Sequence, residues 1–226
     1  MHFDKKLSEL TNSEIINIHL SRNASTKDFK LISTLKTLEE EMRQSSGLDK
    51  FKSFLPFMAA FAILDQIGKC YKNSEEKENH AKTKGYSSIQ KALYYFGDIE
   101  DDQTLRELCL FRNGIIHDAS LFFSEKIKRE GDNEKKDYYC YYYCFRYSDD
   151  DKRQNLIDFP EEKWDGNFDS ISPKNITNIN RRVLLNKTSD IIRKLSKINE
   201  SNELKISLPE KEKELIKRYF LMIPIN

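Results

Sequence analysis

The residues best suited to chemistry in this chain are Arg112 and His117, five positions apart in the run Arg112-Asn113-Gly114-Ile115-Ile116-His117. A guanidinium is a permanent planar cation that matches a phosphate group. An imidazole is the side chain that gives and takes protons near neutral pH. Brought to one phosphodiester, the two suffice for cleavage without a metal, one stabilising charge and the other moving protons. Asn113, directly after the arginine, adds an amide that can hold the ring or a phosphate oxygen.

These residues need an element to position them, and the flanking pattern reads as a helix. Leu105, Leu108 and Cys109 lead into the motif, Ala119, Phe122 and Phe123 lead out of it, and Asp101 or Asp102 can cap a helix running to about Lys128. On such a helix Asn113 and His117 are four apart and share a face. Arg112 lies about 100° round and reaches that face only by swinging its long side chain.

An arginine, four intervening residues and a histidine, with a polar residue directly after the arginine, resembles the signature of the HEPN superfamily. The resemblance covers about residues 27–124 with a helix near 173–199. It implies a mainly α fold, an antiparallel helical bundle, and a symmetric homodimer in which two motif helices form one composite site. Arg112, Asn113 and His117 are the catalytic residues it implies, with no cofactor and no metal. The implied activity is a metal-independent endoribonuclease that cuts tRNA or single-stranded RNA by attack of the 2′-OH. The implied role is that of a toxin or antiviral defence effector, with an antitoxin or regulatory protein as a further partner. Toxins of this family that are controlled through a tyrosine carry it two residues after the histidine. Ala119 stands there in this chain, so that control does not carry over.

Composition bounds the rest. A chain of 226 residues with 33% charged and 38% hydrophobic residues suits one sizeable core, read as a single domain over 1–226. Only 7 Gly and 5 Pro argue against a turn-dense sandwich. The net charge of +1 gives no global pull on nucleic acid, so an RNA contact requires a local basic patch or two patches joined in a dimer. Met1 to Leu10 is polar and charged, unlike a signal peptide, and the longest apolar run, Phe54 to Leu64, is too short to span a bilayer. The expectation is a cytoplasmic protein with no membrane contact.

Along the chain, residues 1–26 read as a helical turn and loop. Thr26 reads as the N-cap of a helix with Phe29, Ile32, Leu35, Leu38 and Met42 on its apolar stripe, ending at Gly47. Phe51 to Tyr71 is apolar on nearly all sides and belongs at the centre of a bundle, with Pro56 in its first turn. Lys72 to Lys84 reads as a charged loop, Tyr86 to Phe96 as a short helix, and Ser124 to Asp137 as a solvated stretch. Tyr138 to Tyr147 alternates as a strand, with Tyr139, Tyr141, Tyr143, Phe145 and Tyr147 on one face and Tyr138, Cys140, Tyr142, Cys144 and Arg146 on the other. With Gln154 to Phe159 returning, it forms an expected β-hairpin insertion at about 138–160. Ser172-Pro173 opens an expected helix to about 199, so the helical core is about 27–128 and 173–199. A C-terminal helix at about 208–222 is expected behind the capping box Ser207 to Glu210. Its apolar end, Tyr219 to Ile223, must dock on the core or on a second subunit.

Other candidates read as structural. Asp65 is an edge residue or a helper that orients Arg112 or His117. His2, His19 and His80 read as surface residues without ligand spacing. Cys70, Cys109, Cys140 and Cys144 lack a paired C-x-x-C spacing and read as reduced thiols. The tyrosine strand with Arg146 could stack unpaired bases, or one aromatic face simply covers the bundle. The alternative to an enzyme is a non-catalytic helical module that binds RNA, a nucleotide or a partner protein.

Overall fold

The computed structural model describes residues 1–21, 23–47, 54–73, 83–128, 138–149 and 154–225. They form two compact units, Met1–Leu105 with Leu185–Asn226, and Arg106–Leu184. The α-helices are α1 (Asn12–Ser21), α2 (Thr34–Ser46), α3 (Leu55–Cys70), α4 (Ser88–Tyr95), α5 (Asp102–Asn113), α6 (Arg181–Glu200) and α7 (Lys211–Tyr219). The strands are β1 (Ala24–Ser25), β2 (Phe29–Ser33), β3 (Tyr71–Asn73), β4 (Phe122–Lys128), β5 (Tyr138–Ser148), β6 (Ile157–Asp158), β7 (Ile176–Asn180), β8 (Leu204–Ile206) and β9 (Phe220–Pro224). The described chain is therefore mixed α/β, where composition and resemblance suggest a mainly α bundle.

In the first unit α3 is the central helix, as its apolar sequence predicts. Phe57, Phe61, Ile63, Leu64 and Ile67 are fully buried, and α2 and α4 both pack on it. Pro56 lies in its first turn. Gly68 lets α4 approach closely, because a Cβ there would sit 1.8 Å from the Ser88 carbonyl oxygen. The Ser87–Gln90 capping box starts α4 where the Tyr86–Phe96 reading places it.

Thr26 does not cap a helix. Its hydroxyl accepts from the Phe29 N–H (3.0 Å), closing a tight turn between antiparallel β1 and β2, and Ser33 caps α2 instead. The reason is tertiary: β9 arrives from the far end of the chain and pairs with Phe29–Ser33. The C-terminal helix correspondingly ends at Tyr219, and the apolar tail docks as a strand. Ser207 caps nothing; its N–H and hydroxyl bond the Cys70 and Lys69 carbonyls beside the β3–β8 pair.

His19 is a correction of another kind. It is wholly buried in α1, not on the surface, with Nδ1 2.6 Å from the Tyr71 hydroxyl and the rings of Tyr71, Tyr219 and Phe220 around it. His2 is exposed as read, and His80 lies outside the described residues.

The second unit departs most from the sequence reading. The motif helix stops at Asn113, and residues 122–128 form β4, not a continuing helix. Among the described residues β5 and β6 do not pair with each other as the expected hairpin of 138–160 would require. Strand β5 pairs antiparallel with β4 and parallel with β7, and β6 pairs with β7, giving the order β4-β5-β7-β6. Ser172-Pro173 opens only one 3-10 turn before β7, and α6 starts at Arg181, where the Asn180 side chain accepts from the Val183 N–H (3.2 Å). One face of this sheet carries Phe145, which packs on Phe111 of α5, and Thr177, whose hydroxyl donates to buried Glu107 (2.8 Å). Of the charged stretch, 124–128 belongs to β4, and 129–137 lies outside the described residues.

Desolvation drives the His19 pKa from 6.5 down to about 3, so the native state holds a neutral ring. Below pH 6.5 the unfolded chain gains a proton that the folded chain refuses, so stability falls as pH drops from 6.5 toward 3. The urea midpoint is expected to fall between pH 7 and 5, a range where most carboxylates stay ionised, and His19→Gln is expected to flatten that slope. An equal slope in the variant would assign the pH dependence to other groups.

Candidate active site

The site is built where α5 ends. Asp101 accepts from the Thr104 N–H (2.8 Å) and caps the helix start, and buried Leu105, Leu108 and Phe111 anchor its inner side. Arg112 falls in the last turn, where the helix dipole favours a cation. Gly114–Asp118 then forms a single π-helical turn, closed by Ala119 in the left-handed region at φ 49°. The Ser120 N–H donates to the Gly114 carbonyl at 3.0 Å.

Gly114 is required for this turn. A Cβ there would stand 2.8 Å from the Ser120 carbonyl oxygen, a backbone atom that cannot swing aside. The wider turn changes which side chains meet. Five residues of α-helix leave Arg112 and His117 about 140° apart, whereas a π turn bonds i to i+5 and brings that pair together. Arg112 Nη1 lies 3.3 Å from His117 Nε2 and 2.9 Å from Asn113 Oδ1. The i, i+4 pairing of Asn113 with His117 expected from an α-helix is thus replaced by an i, i+5 pairing of Arg112 with His117.

All three sequence-derived site residues meet at one point. His117 is exposed, and Arg112 and Asn113 are half-buried. A guanidinium only donates, so this contact is a hydrogen bond in the tautomer that accepts at Nε2 and carries its proton on Nδ1. Arg112 Nε is buried and has no hydrogen-bond partner among the described residues, a donor left unsatisfied at a typical cost of about 1–3 kcal/mol.

Asp65 belongs to α3, where it is paired with Lys69 at 2.5 Å. On α5, Arg106 bonds Glu125 of β4 (2.5 Å), which raises the Arg106 pKa above its usual range. None of the four cysteines is in a disulfide; burial pushes the Cys70 thiol up to about 12 and also raises Cys144. Among the described residues no group of three His, Cys, Asp or Glu could hold a metal ion, and no helix is long and apolar enough to cross a membrane.

Sequence reasoning missed an aromatic cluster on the other face of the sheet. Phe122, Trp164 and Phe168 lie 5.1–5.6 Å apart by ring centroids, and Tyr142 stands 5.9 Å from Trp164. The alternation of Phe122, Ser124 and Lys126 against Phe123, Glu125 and Ile127 was the available signal, hidden by extending the motif helix through it. The first unit also holds a polar cleft of about 470 Å³ lined by Asn12, Asn199, Lys72, Lys205 and Lys211 among others.

No family model, curated protein or solved structure matches this chain.

Gly114→Ala is expected to dismantle the π turn and to cost about 1–3 kcal/mol, as overpacking does, read as a lower urea midpoint. In the wild type, ¹⁵N NMR is expected to show His117 protonated on Nδ1, with that preference lost in Arg112→Ala. An unchanged tautomer in Arg112→Ala would mean the guanidinium does not set the ring's state.

Proposed function

We propose that this protein is a metal-independent endoribonuclease of HEPN type. The observation that carries the reading is the 3.3 Å approach of Arg112 Nη1 to His117 Nε2 on an exposed turn, with Asn113 bonded to the same guanidinium. An arriving phosphate competes for Nη1 and draws the guanidinium onto its own oxygens. That frees Nε2 of neutral His117 to take the proton from a ribose 2′-OH. The 2′-oxygen attacks the adjacent phosphorus, and Arg112 stabilises the charge on the phosphoryl oxygens. The leaving 5′-oxygen takes a proton, yielding a 2′,3′-cyclic phosphate and a 5′-hydroxyl.

One copy supplies one imidazole, and the acid step calls for a second, protonated group. A symmetric homodimer provides it as the second copy's His117, with two arginines around one scissile linkage. The substrate of this reading is tRNA or single-stranded RNA, and DNA, which lacks the 2′-OH, survives. The biological role that accompanies the resemblance is that of a toxin or antiviral defence effector held by an antitoxin or regulatory protein. One observation favours the non-catalytic alternative: Arg112 Nη1 is already shared between Asn113 Oδ1 and His117 Nε2, as in residues that brace a surface turn.

Purified protein incubated with tRNA and single-stranded RNA in EDTA is expected to release fragments with cyclic-phosphate ends. His117→Ala is expected to slow cutting by about 10²–10⁴-fold and Arg112→Ala by about 10²–10³-fold. Inert wild-type protein, or equal cutting by all three, overturns the enzyme reading in favour of the binding module.

A further inference from the structure

The outward face of the sheet β4-β5-β7-β6 carries exposed rings and exposed cations. Cross-strand partners share a face, and so do alternate residues along a strand. Phe122 pairs with Cys144, Ser124 with Tyr142 and Lys126 with Cys140, which places Phe122, Lys126, Tyr142 and Arg146 on one side. Trp164 bridges to Tyr142 and joins that side. Phe145 on the opposite side packs against Phe111, so this side is the one turned away from α5.

Three of its four clustered rings are open to solvent: Phe168 is 63% exposed, Phe122 42% and Tyr142 38%. Trp164, only 7% exposed, is the post that fixes them. Its indole N–H donates to the Asn167 carbonyl (2.9 Å), and Gly166 lets the loop lie on the Tyr142 ring, since a Cβ there would sit 2.9 Å from it. The platform is therefore built, and its rings meet edge-to-face or tilted, leaving ring surface uncovered.

Lys126 and Arg146 are exposed and form no ion pair among the described residues, unlike Arg106 or Lys174. The register puts them six residue steps apart along the strands, about 20 Å, with Phe122 and Tyr142 between. Nearby acids are partly committed. Asp158 accepts from Asn178 (3.4 Å), and Asp165 accepts from the Asn167 N–H (2.9 Å) and the Ser170 hydroxyl (2.7 Å), which lowers its pKa; Asp169 is exposed on the same loop. Rings flanked by exposed cations are the combination that holds unpaired bases and their phosphates, because every base has a π-face and every linkage a charge. Phe122 is also five residues from His117, so their Cα atoms lie within about 18 Å.

We infer that this sheet face binds single-stranded RNA, its bases stacked on Phe122, Tyr142 and Phe168 and its phosphates held by Lys126 and Arg146. The inference rests on the ribonuclease reading and supplies its substrate class: an unpaired strand laid beside the Arg112–His117 turn. A duplex, with its bases already stacked on each other, cannot use the rings.

The chain's single tryptophan, Trp164, reports the platform directly. His117→Ala protein, titrated with a fluorescein-labelled mixed-sequence RNA 12-mer, is expected to bind by anisotropy, and the unlabelled strand to quench Trp164 emission; the matching duplex does neither comparably. Phe168→Ala, which opens no interior, is expected to weaken binding by about 5- to 150-fold, the usual worth of one stacked base. Arg146→Ala and Lys126→Ala are each expected to lower the slope of log affinity against log salt by about 0.7. Unchanged affinity in Phe168→Ala, equal quenching by the duplex, or an aromatic variant that alters only self-association in sedimentation overturns the inference, the last by assigning the face to protein contact. Cleavage in EDTA by the wild type is scored separately. Cutting without platform binding sinks this inference alone, and platform binding without cutting sinks the enzyme reading alone.

Discussion

The site depends on one close approach of backbone to backbone, Gly114 beneath Ser120. Only a residue without a Cβ allows the Ser120 carbonyl so near, and the Ser120 N–H then closes on the Gly114 carbonyl. This approach ends the α-helix, admits the π turn and sends the chain through Ala119 into β4. Each consequence has a functional side: the π turn joins Arg112 to His117, and the exit sets Phe122 at the start of the sheet. Ala119 in the left-handed region accompanies it, as does an Arg112 Nε without a hydrogen-bond partner among the described residues.

The sheet of the second unit divides its labour by face. Inward residues carry the packing: Phe145 on Phe111, Tyr143 stacked on Phe145, and Thr177 on the buried Glu107 carboxylate. At the sheet's end Arg181, 3% exposed, is held by both Asp149 oxygens, which keeps a buried cation paired. On the outward side Trp164 is packed, while Phe122, Tyr142, Phe168, Lys126 and Arg146 stay open to solvent. Loss of the outward rings therefore separates from loss of the fold, a separation that the inward aromatics do not allow.

Much of the first unit was legible because its signals are local. An all-round apolar run can only be a central helix, and α3 is one; Ser87 with Gln90 is a capping box and starts α4. In the second unit the same holds of β5, which period-two alternation marks as a strand. Local signals also misled. Thr26 looks like a cap, and Ser172-Pro173 like a helix start, yet both segments join strands whose partners lie far away in the chain. His19 carries no sequence sign of burial, since its isolation comes from Tyr71, Tyr219 and Phe220 converging from two distant segments.

Residue type and spacing by themselves singled out Arg112, Asn113 and His117 as candidates, because a guanidinium's charge, an amide's hydrogen-bonding groups and an imidazole's proton exchange are intrinsic to the side chains. They also determined that Tyr138 to Tyr147 alternates, because side-chain direction in a strand follows position alone. Tertiary structure alone decided that Arg112, not Asn113, meets the imidazole, since the turn's winding depends on the Gly114–Ser120 contact. It alone decided which strands flank β5 and hence which rings face outward, since pairing partners are chosen by long-range hydrogen bonds that no local window of sequence contains.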